Sequence, residues 1–189
     1  MTDFERALKL VLDALEQAGI PYMLVGSFAS NLYGVPRATQ DADVVISPDP
    51  TRLQIFLSTL AREGFYAPSE SSVQQALAHE RPFNVIHINS GFKVDLIPKR
   101  ARPFSQQEFQ RRVRIYFLGK PRPFATPEDT ILTKLEWAKR GESGRQLEDA
   151  AAIVEVVGEK LDWGYLRRWA AALGVQGLLE KLISERRGQ

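Results

Sequence analysis

The chain has 189 residues, 44% of them hydrophobic and 25% charged, with a formal net charge of +2. That length suits one domain, or one domain with a helical extension, and the composition excludes a disordered or fibrous chain. Cysteine is absent, which excludes disulfides and thiolate zinc sites and fits a reducing compartment.

The N-terminus, Met1-Thr2-Asp3-Phe4-Glu5, is acidic where a signal peptide needs basic residues, and no apolar run reaches membrane-spanning length. A cytoplasmic protein without a membrane partner is the expectation. Thr2 and Glu5 have capping-box spacing, Leu8, Val11, Leu12, Leu15 and Ala18 recur at helical intervals, and Gly19 stops the helix. Tyr22 to Val25 reads as a buried strand ending in a tight turn at Gly26, followed by a short helix from about Phe28 to Tyr33. Asp41 to Ile46 is the next strand, and Leu53, Phe56, Leu57 and Leu60 mark a helix before Gly64. Phe83 to Ile88 and Phe92 to Ile97 flank Asn89-Ser90-Gly91, the signal of a hairpin with a three-residue loop. A helix near Ser105 to Arg112 and a strand from Val113 to Leu118 follow. Thr126 and Pro127 occupy the N-cap and first position of a helix to about Lys139. The remainder reads as helical, interrupted near residues 141–144, Gly158 and Gly174. Strands first and helices last predict an α+β core, residues 1–124, with a helical C-terminal region, residues 125–189.

Alternate residues of a strand share a face, so Asp41 and Asp43 point one way while Ala42, Val44 and Ile46 point the other. Like charges side by side repel unless a cation neutralises them. Asp95 repeats the pattern in the second hairpin strand, on the face of Lys93 and Ile97. Three carboxylates with no Cys and two His in the chain point to magnesium or manganese. Such a set can hold two ions about 3.5–4 Å apart that activate a hydroxyl and clamp phosphates. Gly26 permits close backbone approach, the Ser27 hydroxyl donates, and the helix starting there presents free amides to an anion. Alternatively, Asp41 and Asp43 form the solvated face of an edge strand, and Asp95 pairs with Lys93 or Lys99.

Arg37 and Thr39 precede the Asp pair in a loop that either reaches a triphosphate or stabilises a turn. Asp149 is a further candidate, or a surface helix residue beside Arg145. His79 and His87 lack metal-ligand spacing, and Trp137, Trp163 and Trp169 read as core or docking residues. Between Lys93 and Arg122 the chain is basic, either a solvated face or a surface that attracts phosphate.

Gly-Ser after a strand, then Asp-x-Asp, then a third Asp is the pattern of the minimal nucleotidyltransferases related to DNA polymerase beta, and Gly26, Ser27, Asp41, Asp43 and Asp95 resemble it. More closely, Leu24 to Ala29, Tyr33-Gly34, Arg37 to Asp43 and Phe92 to Leu96 look like the bacterial nucleotidyltransferase-like proteins akin to the AbiEii and MenT toxins. Pro127-Glu128-Asp129, Leu132 to Trp137, Arg145-Gln146 with Asp149, and Tyr165 to Ala170 extend that resemblance over nearly the whole chain. It implies a nucleotidyltransferase fold, a mixed β-sheet flanked by helices. It also implies transfer of a nucleoside monophosphate from a nucleoside triphosphate to an acceptor hydroxyl, with magnesium or manganese on Asp41, Asp43 and Asp95. Lys134 matches a nucleotide-binding lysine of the toxin-like relatives, whereas Arg145-Gln146 stands where a Lys-Asp pair is expected. The basic middle favours RNA as acceptor over protein or a small hydroxylated molecule, in a toxin–antitoxin setting with a cognate antitoxin-like partner. The alternative is a catalytically silent nucleotide-binding or partner-binding module of the same fold.

Overall fold

The computed structural model describes residues 1–141 and 144–187. The order is α1 (Asp3–Gln17), β1 (Tyr22–Val25), α2 (Gly26–Tyr33), β2 (Asp41–Ile46), α3 (Pro50–Arg62), β3 (Phe65–Tyr66), α4 (Glu70–Ala78), β4 (Phe83–His87) and β5 (Lys93–Pro98). Then come α5 (Pro103–Arg111), β6 (Val113–Phe117), β7 (Lys120–Phe124), α6 (Pro127–Lys139), α7 (Gly144–Val157), a 3-10 turn at Gly158–Lys160, α8 (Trp163–Leu173) and α9 (Gln176–Arg187). The interruption expected at residues 141–144 includes 142 and 143, which lie outside the described residues; those at Gly158 and Gly174 are present. Contacts group the chain into two compact units, Met1–Val25 with Thr39–Phe124, and Gly26–Ala38 with Ala125–Gln189.

The first unit is built on a mixed, seven-stranded sheet of order β3-β4-β5-β2-β1-β7-β6. Thr2 and Glu5 form the expected capping box on α1, and Leu8, Val11, Leu12 and Leu15 are fully buried. Burying each such side chain contributes about 1.5–3 kcal/mol. β2 lies mid-sheet, antiparallel to β1 and parallel to β5, with Asp43 in register with Asp95 and Asp41 with Lys93. The edge-strand alternative therefore fails. Ala42, Val44 and Ile46, with Val94 and Leu96, have no exposed surface; the opposite face of both strands is half-buried, the alternation read from the sequence. The β4–β5 hairpin closes through Gly91 at φ +67°, a left-handed conformation that glycine adopts without strain.

Three elements are absent from the sequence reading. β3 has two residues, and α4 buries Val73 alone among its residues, so neither carries a periodic signal. β7 reads Lys-Pro-Arg-Pro-Phe, and prolines two apart remove donors from one side of a strand. It keeps a five-position ladder with β6 and meets β1 in register at Leu24 and Phe124.

The basic middle segment is partly internal. The Arg122 side chain has no exposed surface; its guanidinium donates to Asp13 at 2.6 Å and Glu16 at 2.7 Å, both on α1. Lys120 joins the same two carboxylates at 2.8 and 2.5 Å, and the Tyr22 hydroxyl donates to Glu16 at 2.7 Å. Burial alone would raise the Asp13 carboxyl, but Lys120, Lys9 and Arg122 outweigh it and hold that group well below the usual carboxylate range. Glu16 is lowered in the same way, burial being overcome by Lys120, Tyr22 and Arg122. Arg122 and Lys120 thus fasten β7 to α1, and the buried Arg122 belongs to no solvated face.

The second unit packs α2, α6, α7, α8 and α9 on one another. Thr126 caps α6 by accepting from the Asp129 amide at 3.2 Å, with Pro127 in the first turn, as the sequence predicts. Asp129 has no exposed surface and accepts from the Thr126 hydroxyl and the Tyr165 hydroxyl, tying α6 to α8. Trp137, Trp163 and Trp169 are half-buried. No helix among the described residues is long and apolar enough to cross a membrane.

Candidate functional site

Two groups of side chains carry the candidate chemistry, one in each unit. In the first unit, β2 presents Asp41 and Asp43 and β5 presents Lys93 and Asp95 on one half-buried face. The parallel register makes Asp43 and Asp95 direct neighbours, on strands about 4.8 Å apart. Lys93 Nζ lies 2.8 Å from Asp95 Oδ2, the pairing expected as the alternative. This bond, with the fields of Asp95, Asp41 and Asp43 behind it, raises the Lys93 ammonium above the ordinary lysine range despite opposing burial. Lys93 is thus bound to Asp95 and lies within the field of Asp41 and Asp43. The Thr39 hydroxyl donates to Asp41, to its carbonyl at 3.0 Å and to Oδ1 at 3.1 Å, which orients that carboxylate.

Carboxylate oxygens on one face are the donor chemistry a hard divalent cation takes. Among the described residues, however, no three His, Cys, Asp or Glu side chains are gathered into a group that could hold a metal ion. The donor set fits magnesium chemically, with Lys93 standing on Asp95.

In the second unit, Gly26 opens α2 at φ +60° and Ser27 follows. Arg37 donates from Nε to Asp149 Oδ1 at 3.1 Å and from Nη2 to Asp149 Oδ2 at 3.0 Å, and Nη2 also donates to Ser27 Oγ at 3.0 Å. Lys134 Nζ, on α6, donates to Asp149 Oδ2 at 2.6 Å, and the Ser30 hydroxyl reaches the same oxygen at 3.5 Å. Both faces of the Arg37 backbone are pinned by Asn31, whose Nδ2 donates to its carbonyl at 2.7 Å and whose Oδ1 accepts from its amide at 3.1 Å. Burial would raise the Asp149 carboxyl, but the bonds from Arg37 and Lys134 hold it below the usual aspartate range. Asp149 is therefore not a surface residue beside Arg145. Ile153, four residues on, is fully buried and shares its helix face, so this face of α7 turns inward.

The chain brings Ser27, Arg37 and Lys134 together around Asp149, and sets Asp41, Asp43 and Asp95 on the sheet face, with Thr39 bonded to Asp41 from the loop before β2. The residues that sequence reasoning left out are Lys93, named there only as a counter-charge, and Asn31, which carried no signal.

No protein-family model matches the sequence, and no curated protein does. Solved structures do. ANT(2'')-Ia in complex with adenylyl-2''-tobramycin is 14% identical with a TM-score of 0.58, covering 97% of this chain and 99% of that one. An antigenic nucleotidyltransferase-like protein from Paracoccidioides brasiliensis is 16% identical with a TM-score of 0.55, covering 100% of this chain and 91% of that one. The lincomycin-bound lincosamide antibiotic adenylyltransferase LnuA is 13% identical with a TM-score of 0.53, covering 80% of this chain and 97% of that one. The fold is the nucleotidyltransferase fold, a mixed α+β architecture with C-terminal helices.

Proposed function

We propose that the chain is a magnesium-dependent nucleotidyltransferase that moves a nucleoside monophosphate from a nucleoside triphosphate to an acceptor hydroxyl. The observation that carries this reading is the face shared by Asp41, Asp43 and Asp95 on adjacent parallel strands of a nucleotidyltransferase fold. Asp41, Asp43 and Asp95 would hold magnesium, or manganese in its place, and the bound ion would neutralise phosphate charge and lower the pKa of the attacking hydroxyl. Thr39 keeps the Asp41 carboxylate turned for that task. Lys93, which pairs with Asp95, would have to release that carboxylate for the ion to be held. Gly26 lets phosphate approach the backbone, Ser27 donates a hydroxyl bond, and Arg37 and Lys134 neutralise phosphate oxygens. The acceptor oxygen bonds to the α-phosphorus as the bond to pyrophosphate breaks, and the hydroxyl proton passes to a carboxylate of the face.

The similar structures include an adenylyl-tobramycin complex and a lincosamide adenylyltransferase, which favours a small hydroxylated acceptor. RNA in a toxin–antitoxin setting, with an antitoxin-like partner, rests on the basic middle segment, and the burial of Arg122 and pairing of Lys120 weaken it. The pairing of Lys93 with Asp95 favours a second reading, a nucleotide- or partner-binding module without turnover. Calorimetry with each nucleoside triphosphate, with and without magnesium, tests the first. Magnesium-dependent binding that is lost in a folded Asp41→Asn variant supports the metal and nucleotide site, and label transfer from an α-labelled triphosphate by wild type alone supports turnover; magnesium-dependent binding without transfer moves the assignment to the second.

A further inference from the structure

We propose that Asp149 is a positioning residue: it holds the Arg37 guanidinium and the Lys134 ammonium side by side, so that together they take one phosphate group of a polyphosphate. The inference rests on the nucleotide-binding reading above and deepens it.

Asp149 is 10% exposed and Lys134 6% exposed at their side chains. Taking charges out of water is unfavourable, and a buried ion pair adds little stability over a well-packed apolar contact. Three charged groups gathered at the meeting of α2, α6 and α7 are therefore poor helix glue. The three side chains sum to one positive charge, the sign a phosphate needs. The geometry is specific as well. Arg37 meets Asp149 with two donors on two oxygens, the fork-to-fork arrangement that fixes the plane of a guanidinium. Lys134 shares one of those oxygens, so one carboxylate sets the spacing between the two cations. The main chain of Arg37 is pinned in turn by Asn31 at both its amide and its carbonyl. An arginine that only supplied charge would need neither constraint. Ser27 Oγ accepts from Arg37, which uses a lone pair and leaves the hydroxyl proton to be donated. Holding donors in place before the ligand arrives removes the ordering cost that otherwise opposes binding.

Charge and position make opposite predictions. If Asp149 acts only through its charge, its removal deletes a repulsion and tightens anion binding. If it positions the cations, its removal loosens binding although the cluster becomes more positive. Inorganic tripolyphosphate is the probe, titrated calorimetrically into the full chain at low salt without metal. The expected result for Asp149→Asn, with folding checked by circular dichroism, is binding about tenfold weaker or worse than wild type, with Asp149→Glu recovering part of the loss. Arg37→Lys, which keeps the charge and removes the fork, is expected to bind as weakly as Arg37→Gln, and this comparison does not depend on whether Asp149→Asn folds. Equal or tighter binding by Asp149→Asn, or wild-type affinity in Arg37→Lys, overturns the positioning role and leaves the nucleotide-binding reading standing. Failure of the wild type to bind tripolyphosphate or any nucleoside triphosphate overturns both.

Discussion

Arg122→Met tests the ion network that fastens β7 to α1. The arginine side chain is fully buried and donates to Asp13 and Glu16 at 2.6 and 2.7 Å. Removing one partner of a buried ion pair costs about 3–5 kcal/mol, because the other charge stays in place without it. Here Asp13 and Glu16 are 31% and 30% exposed and both keep Lys120, so solvent and the remaining ammonium reduce the loss to about 2–3 kcal/mol. Methionine nearly preserves the volume, so a cavity adds little. Urea unfolding followed by circular dichroism measures the difference. Its pH dependence identifies the cause. Asp13 and Glu16 have folded-state values below their ordinary 3.8 and 4.5, so the stability they add is present above those ordinary values. It is lost as pH falls through the lowered ones. The wild type should therefore lose stability as it is acidified below about pH 4.5, and the deficit of Arg122→Met should shrink over the same range. A variant as stable as wild type at pH 7, or a deficit that does not change with pH, would refute the assignment of these charges as the fastening.

Gly34→Val places a side chain where a Cβ would lie 3.1 Å from the Ser30 carbonyl oxygen and 3.2 Å from Ala152 Cβ and the Ile153 amide nitrogen. Two of these neighbours are backbone and cannot yield, so overpacking should cost about 1–3 kcal/mol in thermal melting. Thr126→Ala removes the α6 cap and leaves the buried Asp129 without one of its donors; urea unfolding should show a loss of about 1–2 kcal/mol. Lys93→Met leaves Asp41, Asp43 and Asp95 to repel one another, so its melting temperature should fall below wild type at low ionic strength and recover as salt is added. A melting temperature indifferent to salt would show that Lys93 does not offset their charge.

The elements legible in the sequence are those whose signals are local. β1 and β2 have the bounds read for them, since each is a short apolar or alternating run between turn residues. α6 was fixed by Thr126 and Pro127 at its start. β7 was hidden because its prolines argue against a strand, and only the ladder with β6 and the ties of Arg122 and Lys120 to α1 make it one. The carboxylate face was visible because alternation alone sorts Asp41, Asp43 and Asp95 from their apolar neighbours. Which strands would adjoin was not, and the parallel pairing of β2 with β5 is what sets Asp43 beside Asp95. The bond between Arg37 and Asp149 joins residues 112 positions apart, a separation at which no spacing rule operates.

Nucleotidyl transfer itself remains the claim to be tried. The chain would be incubated with each α-labelled nucleoside triphosphate, magnesium, and in turn total bacterial RNA, protein and a panel of small hydroxylated acceptors, with folded Asp41→Asn and Asp43→Asn variants alongside. Label carried to one acceptor class by wild type and by neither variant is the result this account predicts. Transfer that survives in both variants, or none from any triphosphate to any acceptor, would contradict it.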